Sequence, residues 1–338
     1  MEINLITGPN DEGRRLDRIL RKALPDYSLS LLHRLIRQKK ILVDNAPVNL
    51  DFRVKTGMYI QVNYRPQRIN QQADDSMKNN LVNYRCQRVN DKSKLEHEMN
   101  PVNYHCELVN DNKISPSPLP QILFKDKGII VFNKPAGLAS HGKHSLDTLV
   151  KNYLYQTLTP SLSFMPGPLH RLDQHTSGAI TFSQNLKGAQ WFSHLLRERK
   201  IIKTYLAIAE GRINNGQKWQ DELVRDKSIQ KTFISNYKKE SVKSLDAVTI
   251  VKSHASANNY SLIEVQIITG RTHQIRAQAA SHGHPLAGDR KYGGQPFAGG
   301  YFLHAWKLEC PDQGLYICAP LPALFRQKIK LLFPNTAI

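Results

Sequence analysis

The chain of 338 residues is long enough for two domains and a sizeable core. Its 47 Lys+Arg against 28 Asp+Glu give a formal charge of +19, which favours nucleic acid over a membrane surface, because each phosphate neutralised releases a counterion. No apolar run approaches the ~20 residues of a membrane span, the first residues carry an early acid and no signal-like apolar core, and Cys86, Cys106, Cys310 and Cys318 form no Cys-x-x-Cys pair. A cytoplasmic protein with reduced thiols is expected.

Residues 11–40 read as two short helices. Leu16, Ile19, Leu20, Ala23 and Leu24 recur at helical spacing until Pro25 stops them, and Ser28 or Ser30 can cap a second helix through Leu31, Leu32, Leu35 and Ile36. The other faces carry Arg14, Arg15, Arg18, Arg21, Lys22, Arg34, Arg37, Lys39 and Lys40, nine basic residues against four acids (Asp11, Glu12, Asp17, Asp26). A charged helix face is often only solvated, but one sign dominating two consecutive helices favours phosphate contact. Ile41-Leu42-Val43, an Asp44-Asn45 turn, Val48 and Met58–Val62 supply short strands. Over residues 12–62 this pattern is similar to the RNA-binding module of the ribosomal-protein-S-four type. It departs at the turn, where Asp44-Asn45-Ala46 replaces the usual Asn-Gly. The resemblance makes Arg14, Arg15, Arg18, Arg34, Arg37, Lys39 and Lys40 RNA-binding candidates.

Residues 63–120 read as a linker with an insertion. Val62-Asn63-Tyr64-Arg65 returns as Val82-Asn83-Tyr84-Arg85 and again as Val102-Asn103-Tyr104-His105, a period of twenty. The polar spacers leave too few apolar residues for a stacked core. A flexible duplicated insertion is favoured over an RNA-contacting arm of Tyr and Arg. Ser115-Pro116-Ser117-Pro118-Leu119-Pro120 closes it stiffly.

From residue 121 to 338 the texture is that of a strand-rich domain. A hairpin is expected over Ile122–Phe132, a helix over Leu186–Lys200, and strands at Lys203–Ala209, Ala247–Lys252, Tyr260–Thr269 and Leu303–Leu308. Helices are predicted over Gln274–Ala280 and after Pro322. The fold class is therefore α+β, a small module followed by a mixed, largely antiparallel sheet flanked by helices and loops.

Two segments carry the chemistry. His170-Arg171-Leu172-Asp173-Gln174-His175-Thr176-Ser177-Gly178 sets one carboxylate before the apolar run Ala179–Phe182, which reads as a half-buried strand. A loop Asp alone is most often a turn or cap residue. Paired-carboxylate hydrolysis needs a second acid, for which Asp289 in Gly288-Asp289-Arg290 is the only rival. A lone Asp among bases suits nucleophilic or electrostatic work, since neighbouring positive charge keeps it ionised. Gly270-Arg271-Thr272-His273-Gln274-Ile275-Arg276 places Arg276 one turn inside a helix, where its fork can meet a carboxylate bidentately. His282-Gly283-His284 lacks the spacing of a metal site, so no metal is expected.

These segments resemble the H-R-L-D-x-x-T-S-G and G-R-T-H-Q-I-R motifs of the RluA-type pseudouridine synthases. Asn133-Lys134-Pro135-Ala136-Gly137, Lys203-Thr204-Tyr205, Asp289-Arg290-Lys291-Tyr292-Gly293 and Leu303-His304-Ala305 match further signatures over residues 120–335. The resemblance implies a pseudouridine-synthase catalytic domain. In it Asp173 attacks the flipped uridine or stabilises its cleaved sugar, Arg276 keeps Asp173 ionised and aimed, and Tyr205 stacks on the detached base. Arg171 is to probe the RNA helix, and His170, Thr176, Lys134, Lys203, Arg271 and His273 stand as further RNA-binding candidates. A stacked base must be extruded before its glycosidic bond can be reached. No cofactor is implied, since nothing is oxidised and no water is consumed. Structured RNA is the expected partner, with ribosomal RNA leading and transfer RNA the alternative, and the protein is expected to be a monomer. A non-catalytic RNA-binding or ribosome-assembly protein on the same scaffold is the rival reading.

Overall fold

A computed structural model describes residues 3–64, 118–155, 157–214, 216–235, 244–297 and 299–336. The repeats from residue 65 onward, with Cys86 and Cys106, lie outside the described residues. Two units divide the chain: residues 1–117 with 158–165, and residues 118–157 with 166–338.

The first unit contains β1 (Ile3–Ile6), α1 (Leu16–Ala23), α2 (Leu29–Arg37), β2 (Ile41–Val43), β3 (Ala46–Pro47) and β4 (Tyr59–Val62). Leu16, Ile19 and Leu20 turn one face of α1 inward. Each such side chain contributes about 1.5–3 kcal/mol by leaving water. The helix ends at Leu24 because the residue before a proline is disfavoured in the helical region. Ser28 caps α2, its hydroxyl accepting from the Leu31 amide at 3.2 Å. The sheet runs β1-β4-β2-β3. Asp44 and Asn45 adopt φ of 48° and 64°, so this pair satisfies the left-handed hairpin turn without the usual glycine.

Strand β1 lies before the expected start at residue 12, and only its Leu5 is buried, which leaves little pattern to read. Residues 158–165 also belong to this unit. The buried Asp11 carboxylate accepts from the Gly8, Leu162 and Ser163 amides and from the Ser161 and Ser163 hydroxyls, at 2.6–3.1 Å. Leu162 joins the hydrophobic core. A carboxylate with so many donors can be buried at small cost. Residues 158–165, inside the 121–338 range expected for the second domain, thus pack with the first unit.

The second unit contains β5 (Ile122–Asp126), β6 (Ile129–Lys134), α3 (Leu146–Tyr155), β7 (Ser177–Ser183), α4 (Leu186–Arg197), β8 (Ile202–Glu210), β9 (Gln217–Asp226), β10 (Lys231–Ile234), β11 (Leu245–Ala257), β12 (Tyr260–Ile267), α5 (Gln274–Ser281), β13 (Leu303–Cys310), β14 (Leu315–Cys318) and α6 (Ala323–Leu332). Its sheet runs β10-β9-β11-β12-β8-β13-β7-β6-β5, with β14 beside β13. The β13–β7 pairing is parallel, His304 opposite Ser177 and Ala305 opposite Gly178, and the other described pairings are antiparallel. The α+β expectation holds.

Strand β7 is not half-buried: every residue of Ser177–Ser183 is buried. It lies between β13 and β6, with Ala179 packed among Phe192 and Leu195 of α4. Phe182 meets Phe132, which in turn meets Tyr153 of α3. Thr181 tolerates this burial because its backbone and hydroxyl reach His170 Nε2 at 3.0 and 3.2 Å. Strands β9 and β10 lie outside the predicted elements, since Trp219 and Leu223 alone of β9 are buried and no period of two shows. Helix α3 was also not predicted, although Leu146, Val150 and Leu154 recur at helical spacing.

Candidate active site

Three segments far apart in sequence meet at Asp173. Its loop is tied to the Asn133–Gly137 turn: the Gly137 amide donates to the Gln174 carbonyl at 2.9 Å, and the Gln174 side chain donates back to the Gly137 carbonyl at 3.0 Å. The Ser140 hydroxyl donates to the Leu172 carbonyl at 2.8 Å. At the downstream end, Ser177 bonds to His304 Nδ1 at 2.8 Å, while His304 Nε2 donates to the Ala319 carbonyl at 3.0 Å. Burial drives the His304 imidazole down to about 4, against the pull of the Ala319 bond, so it stays neutral. Gly178 permits this junction, having φ +108° and lying where a Cβ would sit 2.2 Å from the Ala305 carbonyl oxygen.

Arg276 comes from the first turn of α5, after His273 caps that helix in the left-handed region at φ 56°. Its Nη1 donates to Asp173 Oδ2 at 3.1 Å, while Nε and Nη2 hold Asp289 Oδ2 and Oδ1 at 2.6 and 2.8 Å. The bidentate partner of Arg276 is therefore Asp289, and Asp173 receives a single bond. Tyr301 and Tyr292 lie 4.3 and 5.0 Å from the guanidinium carbon. Burial opposes the charge on Arg276, but the bonds and charge of Asp289, with Tyr301 and Asp173, hold it above its ordinary value.

The Asp173 side chain is 23% exposed, and His273 Nε2 approaches the same Oδ2 at 3.7 Å. Among the described residues no hydrogen bond reaches Oδ1. Burial lowers the His273 imidazole, and Asp173 partly offsets this. The other ring nitrogen of His273 meets the Tyr292 hydroxyl at 2.9 Å. Tyr205, on β8 opposite Ala305, is buried, and burial reinforced by the Asp173 charge raises its phenol, which stays protonated. The site thus presents one carboxylate oxygen without a hydrogen bond among the described residues, beside the protonated Tyr205 ring, while Arg276 holds the other oxygen. Such a group can attack an electrophilic carbon or stabilise developing positive charge.

Several sequence candidates occupy other positions. Lys134 is 0% exposed and donates to the Pro135, Leu138 and Gln174 carbonyls at 2.8–3.0 Å, so it clamps the Asp173 loop from inside. Burial drives its ammonium down to about 7, against the Asp173 charge. His170 accepts from the Thr181 amide and stacks on Phe192, 6.2 Å between ring centres. Burial, aided by the Lys203 charge, lowers it to about 3. Thr176 is buried against the Tyr301 hydroxyl at 3.2 Å. Arg171 and Arg271 are exposed, and Arg271 Nε also donates to the Asp246 carbonyl at 3.1 Å. Lys203 is half-buried, and burial lowers its ammonium.

In the first unit Arg15, Arg18, Arg34, Arg37, Lys39 and Lys40 are exposed, with Arg15 paired to Asp17 at 3.2 Å. Arg14 is half-buried and donates to the Ser163 hydroxyl at 2.9 Å. His282 stacks on Trp219 at 5.1 Å and meets Asp221 at 3.1 Å, while His284 bonds to the Glu210 carbonyl. Sequence reasoning did not assign roles to Tyr292 and Tyr301. The first stood inside the Asp289–Gly293 signature, and the second, two residues before Leu303-His304-Ala305, carried no signal of its own.

Residues 128–281 match the family model described as RNA pseudouridylate synthase, and residues 14–60 match the S4 domain. A ribosomal large subunit pseudouridine synthase C of Rickettsia conorii is 30% identical, over 93% of this chain and 96% of its own. The chain belongs to the RNA pseudouridylate synthase family. A ribosomal large subunit pseudouridine synthase C of Haemophilus influenzae is 28% identical, over 92% of this chain and 89% of its own. An uncharacterized RNA pseudouridine synthase of Bacillus subtilis is 34% identical, over 63% of this chain and 72% of its own. The solved structure of human RNA pseudouridylate synthase domain containing 4 shares the fold, with a TM-score of 0.51 and 24% identity over 62% of this chain and 91% of its own. As a pseudouridylate synthase, an isomerase acting on RNA, the protein joins that catalytic domain to an N-terminal RNA-binding module. No helix among the described residues is long and apolar enough to cross a membrane.

Proposed function

We propose that this synthase isomerises uridine in structured ribosomal RNA, with Asp173 as the attacking carboxylate. The observation that carries this reading is the asymmetry of Asp173: Oδ2 is engaged by Arg276 and faced by His273, whereas Oδ1 accepts no bond among the described residues. In the reaction Asp173 Oδ1 bonds to C1′ of a flipped uridine as the N1–C1′ bond breaks, the uracil turns, and a C5–C1′ bond forms as the Oδ1–C1′ bond breaks. The C5 proton leaves and N1 gains one, so no oxidant and no net water enter. Arg276 donates to Asp173 Oδ2 and so aims the carboxylate. Tyr205 supplies a protonated aromatic face for the detached base. Arg171 and Arg271 are the exposed cations for the surrounding RNA, and Lys203 is a half-buried one. The exposed bases of α1 and α2 contact phosphates. Ribosomal RNA is favoured over transfer RNA by the names of the relatives from Haemophilus influenzae and Rickettsia conorii. A cytoplasmic monomer is the form we assign to it.

Asp173→Asn should abolish pseudouridine formation while RNA binding survives, and product formed by that variant would remove the nucleophile. Pseudouridine mapping in total RNA with and without the protein decides between ribosomal and transfer RNA.

A further inference from the structure

We propose that Asp289 is a positioning residue, which holds the Arg276 fork so that it offers Asp173 one nitrogen and leaves the second Asp173 oxygen free to react. This rests on the reading of Asp173 as the attacking group. A guanidinium facing a lone carboxylate prefers two parallel bonds, which would engage both Asp173 oxygens. Here Asp289 fills the Nε–Nη2 edge, and of the donors left over only one on Nη1 reaches Asp173, at Oδ2.

The Asp289 carboxylate is delivered to a fixed place. It is 1% exposed, and its amide donates to the Leu286 carbonyl while its own carbonyl accepts from the Tyr292 and Gly294 amides. The turn around it has no room to yield. A Cβ on Gly288, at φ +92°, would meet the Gly300 carbonyl oxygen at 2.2 Å, and one on Gly294 would meet the Leu286 oxygen at the same distance. Tyr301 and Tyr292 restrict the guanidinium further. The Asp289 carboxylate makes no hydrogen bond or ion pair with Asp173 among the described residues, and its link to Asp173 runs through Arg276.

The test uses the full-length protein, unmodified large-subunit ribosomal RNA transcribed in vitro, and single-turnover rates measured beside RNA affinity. Asp289→Asn should slow isomerisation about 100-fold, the scale of a misplaced reactive group, with RNA affinity unchanged. In an Arg276→Lys background the same change should cost less than about threefold more, because residues acting through one contact are not additive. A folded Asn variant with the wild-type rate, or losses that multiply in the double variant, would overturn the proposal. If the Asn variant does not fold, Asp289→Glu keeps the charge but displaces the carboxylate. A folded Glu variant with an unchanged rate overturns the role, and a slowed one supports it. An inactive wild-type protein would count against the proposed substrate instead. The crystal structure of Asp289→Asn would then decide the inference, by whether Arg276 turns two nitrogens on to Asp173.

Discussion

Gly178→Ala tests whether the parallel seam between β7 and β13 carries the site. At φ +108° a non-glycine residue costs about 1–3 kcal/mol. The new Cβ also falls 2.2 Å from the Ala305 oxygen, a backbone atom that cannot turn aside. Relieving that contact means opening the seam, an overpacking cost of about 1–3 kcal/mol. The sum, about 2–6 kcal/mol, is a large part of a typical domain stability of about 5–15 kcal/mol. All three tryptophans, Trp191, Trp219 and Trp306, belong to the catalytic unit, so urea unfolding followed by their fluorescence reports that unit even if the first unfolds separately. The isomerisation rate should fall too, because the Ser177–His304 pairing anchors the Asp173 loop. A loss below about 1 kcal/mol, the level of an ordinary substitution, would refute the claim that this junction requires glycine.

Lys134→Met leaves the Pro135, Leu138 and Gln174 carbonyls without their donor, so isomerisation should slow about tenfold or more as the Asp173 loop loosens. RNA affinity should keep its salt dependence, and a slope reduced by about 0.7–0.9 would return Lys134 to the RNA surface. Acid should destabilise the catalytic unit through His304 and His170, which protonate near 6.5 when unfolded but only at about 4 and about 3 when folded. The unfolded state therefore binds more protons as pH falls from 6.5 towards 4, and stability is lost at about 1.4 kcal/mol per pH unit for each group. By pH 5 this is about 4 kcal/mol for the two together. His304→Gln should halve that loss in urea titrations at pH 7 and pH 5, and an undiminished loss would show that His304 is not buried neutral.

Local signals in the chain were sufficient for much of this architecture. Helical spacing marked α1, α2, α4 and α5, and the ordered motifs marked Asp173, Arg276 and Tyr205. Polar strands were harder to read. Strand β9 buries Trp219 and Leu223 at a spacing of four, and β1 buries only Leu5, so neither shows the alternation that identifies a strand. The 158–165 segment joins the N-terminal module largely through the buried carboxylate of Asp11, with Leu162 in the core and Ser163 on Arg14, and Asp11 looks like any helix-leading acid in the sequence.

The sequence alone marked the candidate site residues, because their order and spacing within each motif are local properties. Only the tertiary structure decided their partners and burial. Lys134 and His170 look like RNA ligands by type, yet burial and backbone bonds make them part of the scaffold. Asp289, a rival acid on paper, becomes the bidentate partner of Arg276 thirteen positions away. Side-chain type sets what a group can do. Whether its donors are spent on the protein or left for a substrate depends on neighbours that only folding brings within hydrogen-bond reach.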